Sequence, residues 1–349
     1  MIRLFGLLLA LLLSPLTVFA DGGQANLFIY HRFGESAHAS TNVDVETFRN
    51  HLDILRKNKI QVVPLGELVR LLEEGRLGEQ HLAVLTVDDG FRSFLQAFEL
   101  LREYGFPVTL FVNTDSVGGR SYLTWKELAA LQQQGVEIGN HSASHPHMVN
   151  RKAGETRQSW LERLRKDLEK SQEAFRRHLG RVPDLFAYPY GEFDPDVKRL
   201  VREMGFRAAV AQQSGVVHAG SDLFALPRFP MGGPYAGTAS FRDKLAMKPL
   251  PVVAVEPESP ILARDNPPVL ELVVKPDNLI VEQLACYVAG QGRGEITWVD
   301  RKRGRLRLRA GRPLSGRRGK YTLTAPGRNG GWYWYSHLWI RPEIPENGY

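Results

Sequence analysis

Two hydrophobic patterns divide this chain. Up to about residue 245, short apolar runs alternate with longer stretches whose apolar residues recur at helical spacing. The runs are Leu27 to Tyr30, Gln61 to Val63, His81 to Val87, Phe106 to Val112, Val136 to Gly139, Leu185 to Tyr188 and Phe206 to Val210. His81 to Val87 leaves almost no polar face, the pattern of a strand covered on both sides. Between the runs, Val45 to Asn58 puts Phe48, Leu52 and Leu55 on one helical face. Leu65 to Glu74, Phe94 to Tyr104, Thr124 to Gln134, Glu155 to Leu179 and Pro195 to Met204 are predicted helices as well. Thr124 with Glu127 three residues on predicts a capping box. This alternation, through about seven strand–helix units, predicts a parallel sheet, open or closed into a barrel.

Beyond residue 268 the pattern changes to short strands punctuated by Gly, Pro and Asn: Val269–Lys275, Ile280–Val288, Glu295–Val299, Arg305–Arg309, Lys320–Thr324 and Gly331–Ile340. No helical stretch interrupts them, which predicts a small β-sandwich. Residues 249–268 hold six prolines and read as a linker. Arg305 to Arg309 alternates three arginines with two leucines, an exposed cationic strand face that reads first as a solvated sheet face and otherwise as a surface for an anionic glycan, a membrane surface or a protein partner. Trp332 to Tyr335 places two aromatics on each strand face, one set for the core and one for core or sugar stacking.

Composition changes little in this picture. The hydrophobic content of 43% and charged content of 24% are those of a globular protein. Charge is more informative. The net +7 is concentrated in Arg301 to Arg328, which carries 11 Lys or Arg and no acid. Taking those 11 from +7 leaves the rest of the chain at −4. The single cysteine, Cys286, excludes an intramolecular disulfide. Arg3, the apolar run Leu4 to Leu13 and Val18-Phe19-Ala20 have the form of an export signal over residues 1–20, so the mature protein is expected to begin at Asp21 and to work in the periplasm or outside the cell. Nucleic acid is then not an expected partner.

Three sequence patterns carry candidate chemistry. Asp88-Asp89-Gly90 closes the strand His81 to Val87, at the end where parallel α/β proteins place their ligands. The same three residues also make a good tight turn. His141 and His145 lie four residues apart, one turn of helix or a turn of loop, with Pro146 ending any helix. Such a pair is also common on surfaces, and His147 makes the stretch histidine-rich. Two histidines and one carboxylate are, however, the donor set of a catalytic zinc, which lowers the pKa of a bound water to about 7. Pro189-Tyr190-Gly191 follows at a later strand end.

In this order, the three motifs resemble those of the polysaccharide deacetylase family (carbohydrate esterase family 4, the NodB-homology domain), over about residues 25–245. The resemblance implies a distorted (β/α)7-type barrel in residues 21–248; the linker 249–268 and the small all-β accessory domain in 269–349 rest on the proline content and strand pattern alone. It implies a hydrolase removing N-acetyl groups from an N-acetylhexosamine polysaccharide, an exopolysaccharide among them. It also implies a divalent cation, zinc first, with cobalt or nickel as substitutes. Asp88 falls on the general base, which activates a metal-bound water. Asp89, His141 and His145 fall on the metal ligands, and Pro189 and Tyr190 on the turn whose backbone N–H holds the oxyanion. The family's motif arginine, which orients the base, is Ala187 here, and Arg228 is the candidate replacement. The family's Leu-x-His general acid is absent; His218, in the right part of the chain, and His31, at the end of the first strand, are the candidates. In these departures the chain resembles the poly-N-acetylglucosamine deacetylase branch more than the chitin deacetylases.

Three alternatives stay open on sequence. The same machinery serves O-deacetylation of a glycan. A glycoside hydrolase would need Asp88 and Asp89 to flank one bond at about 5–9.5 Å, although neighbours on a strand end point apart. A non-catalytic glycan-binding or assembly protein on the same fold accounts for the missing acid.

Overall fold

The computed structural model describes residues 22–262 and 265–346. The expected export signal, residues 1–20, and Asp21 lie outside the described residues. Among those described, no helix is long and apolar enough to cross a membrane.

Six parallel strands lie side by side in sequence order: β1 (Gln24–Tyr30), β2 (His81–Val87), β3 (Thr109–Val112), β4 (Glu137–Asn140), β5 (Leu185–Ala187) and β6 (Ala208–Val210). Helices connect them: α1 (Val45–Lys57) and α2 (Leu65–Glu73), α3 (Phe94–Tyr104), α4 (Trp125–Gln133), α5 (Arg157–Leu179) and α6 (Pro195–Glu203). The predicted boundaries hold to within three residues, and the Thr124–Glu127 capping box is present.

Alternate residues of β2 serve two cores, as a strand buried on both faces requires. Ala83, Leu85 and Val87 pack with α1, α3 and α4. Leu82 and Val84 pack with Leu65, Leu68 and Val69 of α2, and with residues of β1, β3, β5 and β6. Helix α2 therefore fills the concave side of the curled sheet.

The seventh strand–helix unit is irregular. After β6 the chain makes β7 (Val217–His218), antiparallel to the start of β1. Leu226 then bridges Val210 of β6, and β8 (Phe229–Pro230) pairs in parallel with Phe28–Ile29 of β1. The segment 226–230 thus spans from the last parallel strand back to the first and closes a distorted barrel. Helix α7 (Thr238–Leu245), which the apolar spacing did not predict, covers this seam with Phe241 and Leu245.

The C-terminal region is a sandwich of two sheets. One contains β9 (Met247–Pro249), β12 (Ala285–Val288), β15 (Arg318–Pro326) and β16 (Trp332–Ile340). The other contains β10 (Val252–Glu256), β11 (Val269–Val274), β13 (Glu295–Asp300) and β14 (Arg305–Arg309). The proline-rich stretch 249–268 is therefore not a free linker, since it contributes β10, paired with β11. The prolines misled because they flank that strand instead of entering it.

Strand β14 alternates as predicted: Leu306 and Leu308 are buried and the arginines exposed. Two of those arginines are not free cations. Arg305 and Arg307 share Glu271, which lies opposite Arg307 on β11. Tyr333 enters the sandwich core, as one face of the aromatic run requires. On the other face Trp332 stays half exposed, while Trp334 meets the barrel. Trp334 donates from Nε1 to the Ser214 carbonyl at 3.1 Å, packs edge-on against Phe229 and carries Lys244 Nζ 4.0 Å above its ring.

A second contact joins the two domains through charge. Arg317, immediately before β15, is 5% exposed and forks onto Glu192, which is fully buried. Nε donates to Oε1 at 2.7 Å and Nη2 to Oε2 at 2.6 Å. Burial alone would raise the Glu192 carboxyl, but hydrogen bonds with His147 and Arg317 outweigh it and hold it at about 2. A carboxyl depressed by folding stabilises above its unfolded pKa and loses that contribution as pH falls through the folded one. Glu192 should therefore add stability, on the order of 3 kcal/mol at neutral pH, that disappears between about pH 4.5 and 2. In Tm measurements across that range the wild type should fall steeply. Glu192→Gln should start lower at neutral pH and show a flatter acid limb.

Candidate active site

The site is built where β2 ends. The Asp88 N–H donates to the Tyr30 carbonyl at 2.9 Å, prolonging the pairing with β1 by one residue. Asp89 and Gly90 then both take φ 73°, so the chain turns sharply and the two carboxylates diverge. Asp88 turns inward and is 1% exposed. Its two oxygens accept from Nη1 and Nη2 of Arg228, each at 2.7 Å, a bidentate fork. Arg228 is fully buried, and two of its further N–H groups donate to Thr86 Oγ1 (3.1 Å) and the Ala211 carbonyl (2.9 Å). Burial opposes the charge on Asp88, but Arg228, with His141 and His31, outweighs it and keeps the carboxyl below its ordinary range. The candidate replacement for the motif arginine thus reaches Asp88 from the strand that closes the barrel.

Asp89 turns the other way, with Oδ1 lying 3.4 Å from His141 Nε2 and 3.3 Å from His145 Nε2. These three residues offer ligand atoms that all lie within 4.8 Å of one another. The histidine stretch is a loop, because Ser142 and His145 both have positive φ (67° and 53°), which no helix tolerates. Side chains satisfy its backbone. Asn140 accepts from the Ser142 N–H, Asp167 from those of Ala143 and Ser144, and Ser142 Oγ from that of His145.

The donor chemistry of the three residues fits a cation. The Ala187 carbonyl, 2.7 Å from His141 Nδ1, can only accept, so Nδ1 carries the proton and neutral His141 presents a lone pair at Nε2. That lone pair faces the Asp89 carboxylate and, at 3.1 Å, His145 Nε2. Electron-rich atoms converging in this way need a proton or a metal ion between them. Burial disfavours a charge on His141, but the hydrogen bond to Asp89 and the two carboxylates outweigh it and lift its pKa. Burial and the neighbouring His141 push His145 down to about 4, which leaves it neutral and ready to ligate. A second group, His147, Glu192 and Glu346, also has ligand spacing. Arg317 and Arg318 already neutralise its carboxylates.

Tyr190 faces this cluster from the turn after β5. It too is left-handed, at φ 58°, and any Cβ on the following Gly191 would collide with Gln212. The Tyr190 ring lies between two histidines, stacked on His147 at 3.8 Å and edge-on to His145 at 4.5 Å. Among the described residues, five non-glycine positions have positive φ, and four of them, Asp89, Ser142, His145 and Tyr190, are here. Such conformations cost about 1–3 kcal/mol each and persist where surrounding structure enforces them.

A cavity of about 260 Å³ opens over these groups, lined by His31, Asp89, His141, His145, Tyr190 and Gln212. His31 follows β1 directly, and burial lowers its pKa although Asp89 and Asp88 act the other way. The other candidate acid, His218, is not in this site. It pairs with Gln24 at the opposite end of β1, because β7 is an antiparallel return toward the barrel base. It lines a larger cavity, about 590 Å³, between the two domains, which contains none of the clustered residues. Asp88 and Asp89 do not form the facing pair of a glycoside hydrolase, since one is held by Arg228 and the other points at the histidines. The helpers Thr86, Asn140, Asp167 and Glu192 went unseen in the sequence, as none has a motif or a periodicity to mark it.

Comparison with known proteins agrees with this geometry. Residues 76–209 match the family model described as polysaccharide deacetylase. A putative polysaccharide deacetylase of Bacillus subtilis, YxkH, is 22% identical over 214 residues, covering 61% of this chain and 73% of its own. A poly-beta-1,6-N-acetyl-D-glucosamine N-deacetylase of Staphylococcus aureus is 20% identical over 209 residues, covering 58% and 72%. Among solved structures, the Streptococcus pyogenes deacetylase PplD in complex with acetate superposes with TM-score 0.57 at 19% identity, over 64% of this chain and 99% of that one. IcaB from Ammonifex degensii superposes with TM-score 0.56 at 22% identity, over 64% and 97%.

The buried fork makes a stability prediction that needs no substrate. Arg228→Met strands the Asp88 charge and should cost about 3–5 kcal/mol in urea unfolding. Adding Asp88→Asn should recover a large part of that loss. Equal and additive losses would mean that the two side chains are not coupled.

Proposed function

We propose that this chain, a member of the polysaccharide deacetylase family, is a metal-dependent enzyme that removes N-acetyl groups from an N-acetylhexosamine polysaccharide outside the cytoplasm. The observation that carries the reading is the convergence of Asp89, His141 and His145 in one cavity, directly beside a carboxylate held by Arg228. Relatives named for poly-beta-1,6-N-acetyl-D-glucosamine support the choice of polymer, and the leader-like residues 1–20 support the location.

A divalent cation held by Asp89, His141 and His145, with zinc the first choice, would supply Lewis acidity at the acetyl carbonyl and toward the attacking water. The chain's own groups do the rest. Asp88 accepts the proton of the attacking water, and its fixed fork with Arg228 keeps it ionised and correctly turned at neutral pH. The backbone N–H of Tyr190 donates to the oxygen on which charge develops, with Pro189 setting the approach of that turn. His31, in the same cavity and neutral at rest because burial lowers its pKa, takes up the proton removed from the water and delivers it to the leaving amine nitrogen as the C–N bond breaks. The products are acetate and a free hexosamine amine.

The test is acetate release from N-acetylglucosamine oligomers by the mature protein. Release should stop with a chelator and return with zinc or cobalt. Asp88→Asn should lower kcat by about 10²–10⁴-fold with the metal still bound, and His31→Ala by a similar order. Release only from O-acetylated glycans would move the assignment to an esterase. Silence on every N- and O-acetylated glycan, with metal bound, would leave a glycan-binding protein.

A further inference from the structure

The basic segment of the C-terminal sandwich has a member that faces no solvent. Arg317 lies at the domain boundary, 5% exposed, with every nitrogen engaged. Nε and Nη2 fork onto Glu192, Nη2 also reaches Asn150 Oδ1 at 2.8 Å, and Nη1 donates to the carbonyls of Pro342 (3.1 Å) and Ile344 (3.0 Å). Its partner Glu192 is two residues past Tyr190. Glu192 Oε2 lies 2.9 Å from His147 Nδ1, and His147 is two residues past His145. The imidazole of His147 is stacked on the Tyr190 ring, 3.8 Å between centroids and 13° from parallel. That ring also meets His145 edge-on, 4.5 Å between centroids. Arg318 also meets Glu192, donating from Nη1 to Oε1 at 3.0 Å, and lies 5.9 Å from the Tyr190 ring, but Arg317 alone forks onto both carboxylate oxygens, and its contacts run on through Glu192 and His147 to both left-handed residues, Tyr190 and His145, on the two loops that flank the cavity.

We propose that Arg317 is a positioning residue of the active site, acting through Glu192 and His147 to hold Tyr190 and His145 in their left-handed conformations. This rests on the deacetylase reading for its catalytic consequence alone; the mechanical coupling stands without it. Two strained loops cannot stay put unaided. Asn140, Ser142 and Asp167 hold the histidine loop from the barrel side. For the Tyr190 turn, the side chain of Glu192 is the tie that leads to Arg317. A bidentate fork with both partners buried fixes direction as well as distance. The sandwich is on this account part of the catalytic apparatus, and the barrel without it would carry a loosened oxyanion turn.

The full-length chain tests this with two readouts. The first is amide hydrogen exchange of the metal-free protein, which needs no activity. Arg317→Met should speed exchange across residues 188–193 and 145–150 by about tenfold or more, with β2 and α3 unchanged. Glu192→Gln should reproduce the pattern from the other partner, so a folding failure of one variant leaves the other to decide. Arg307→Met, a charge removed from the far sheet of the same domain, should change neither segment. Wild-type exchange at 188–193 in folded Arg317→Met would overturn the proposal, whether or not the protein releases acetate. The second readout is kinetic. Arg317→Met should lower kcat on N-acetylglucosamine oligomers by about 10–100-fold with KM within about twofold, and Arg317→Lys should restore part of it. A lowered Tm with kcat and exchange both unchanged would make Arg317 a packing residue and end the proposal. An inert wild type would end the deacetylase reading, and the exchange result would still decide the positioning role.

Discussion

The ion pair between Asp88 and Arg228 is the interaction on which the rest of the molecule turns. Its two members are 140 residues apart in sequence and belong to opposite sides of the barrel seam. One ends the second parallel strand, and the other lies on the segment that runs from the sixth strand back to the first. A carboxylate this buried is tolerable only with a partner, and a guanidinium this buried only with all its donors satisfied. The fork gives each charge its partner, Thr86 and the Ala211 carbonyl take two further donors of the guanidinium, and the contact ties the closing segment to the second strand. The same contact that shuts the barrel also sets the ionisation and orientation of the group proposed to act as base.

Around that pair, the site concentrates backbone cost. Left-handed residues at Asp89, Ser142, His145 and Tyr190 aim side chains that regular strands and helices would have sent elsewhere. Backbone N–H groups donating to Asn140 and Asp167, and the ring stack on His147, hold these conformations. The convergence of Asp89, His141 and His145 adds an electrostatic cost that a divalent cation relieves. Strain and repulsion are met in one small volume because the chemistry proposed there needs atoms held in place before the substrate arrives.

The accessory sandwich divides its positive charge between two uses. Arg305 and Arg307 stay at the surface and share Glu271 across neighbouring strands, an arrangement worth little in water. Arg317 is withdrawn into the boundary with the barrel, where its fork on Glu192 is screened from solvent. Trp334 does the same on the apolar side, lying against Phe229 at the barrel seam. The two domains therefore meet at the barrel's closure and at its active-site turn, and the large cavity lies between them.

Much of this was legible in the sequence. The strand and helix boundaries of the barrel follow from periodicity, because burial on both faces leaves a continuous apolar run and burial on one leaves a helical stripe. The local motifs placed Asp88, Asp89, His141, His145 and Tyr190 at strand ends, since a parallel sheet gives its strand ends one common side. Arg228 was legible only as a candidate: a lone arginine carries no pattern, and its worth came from a fork formed across the fold. Tertiary structure alone decided what depended on long-range placement. It sent His218 to the barrel base through an antiparallel return and kept His31 at the mouth. It took the proline-rich stretch into the sandwich as a strand. It drew Arg317 out of a run of otherwise similar arginines into a bidentate fork on the buried carboxylate of Glu192, with Arg318 beside it. Local sequence records which face a residue prefers; which distant residue meets it there is fixed only when the chain has closed.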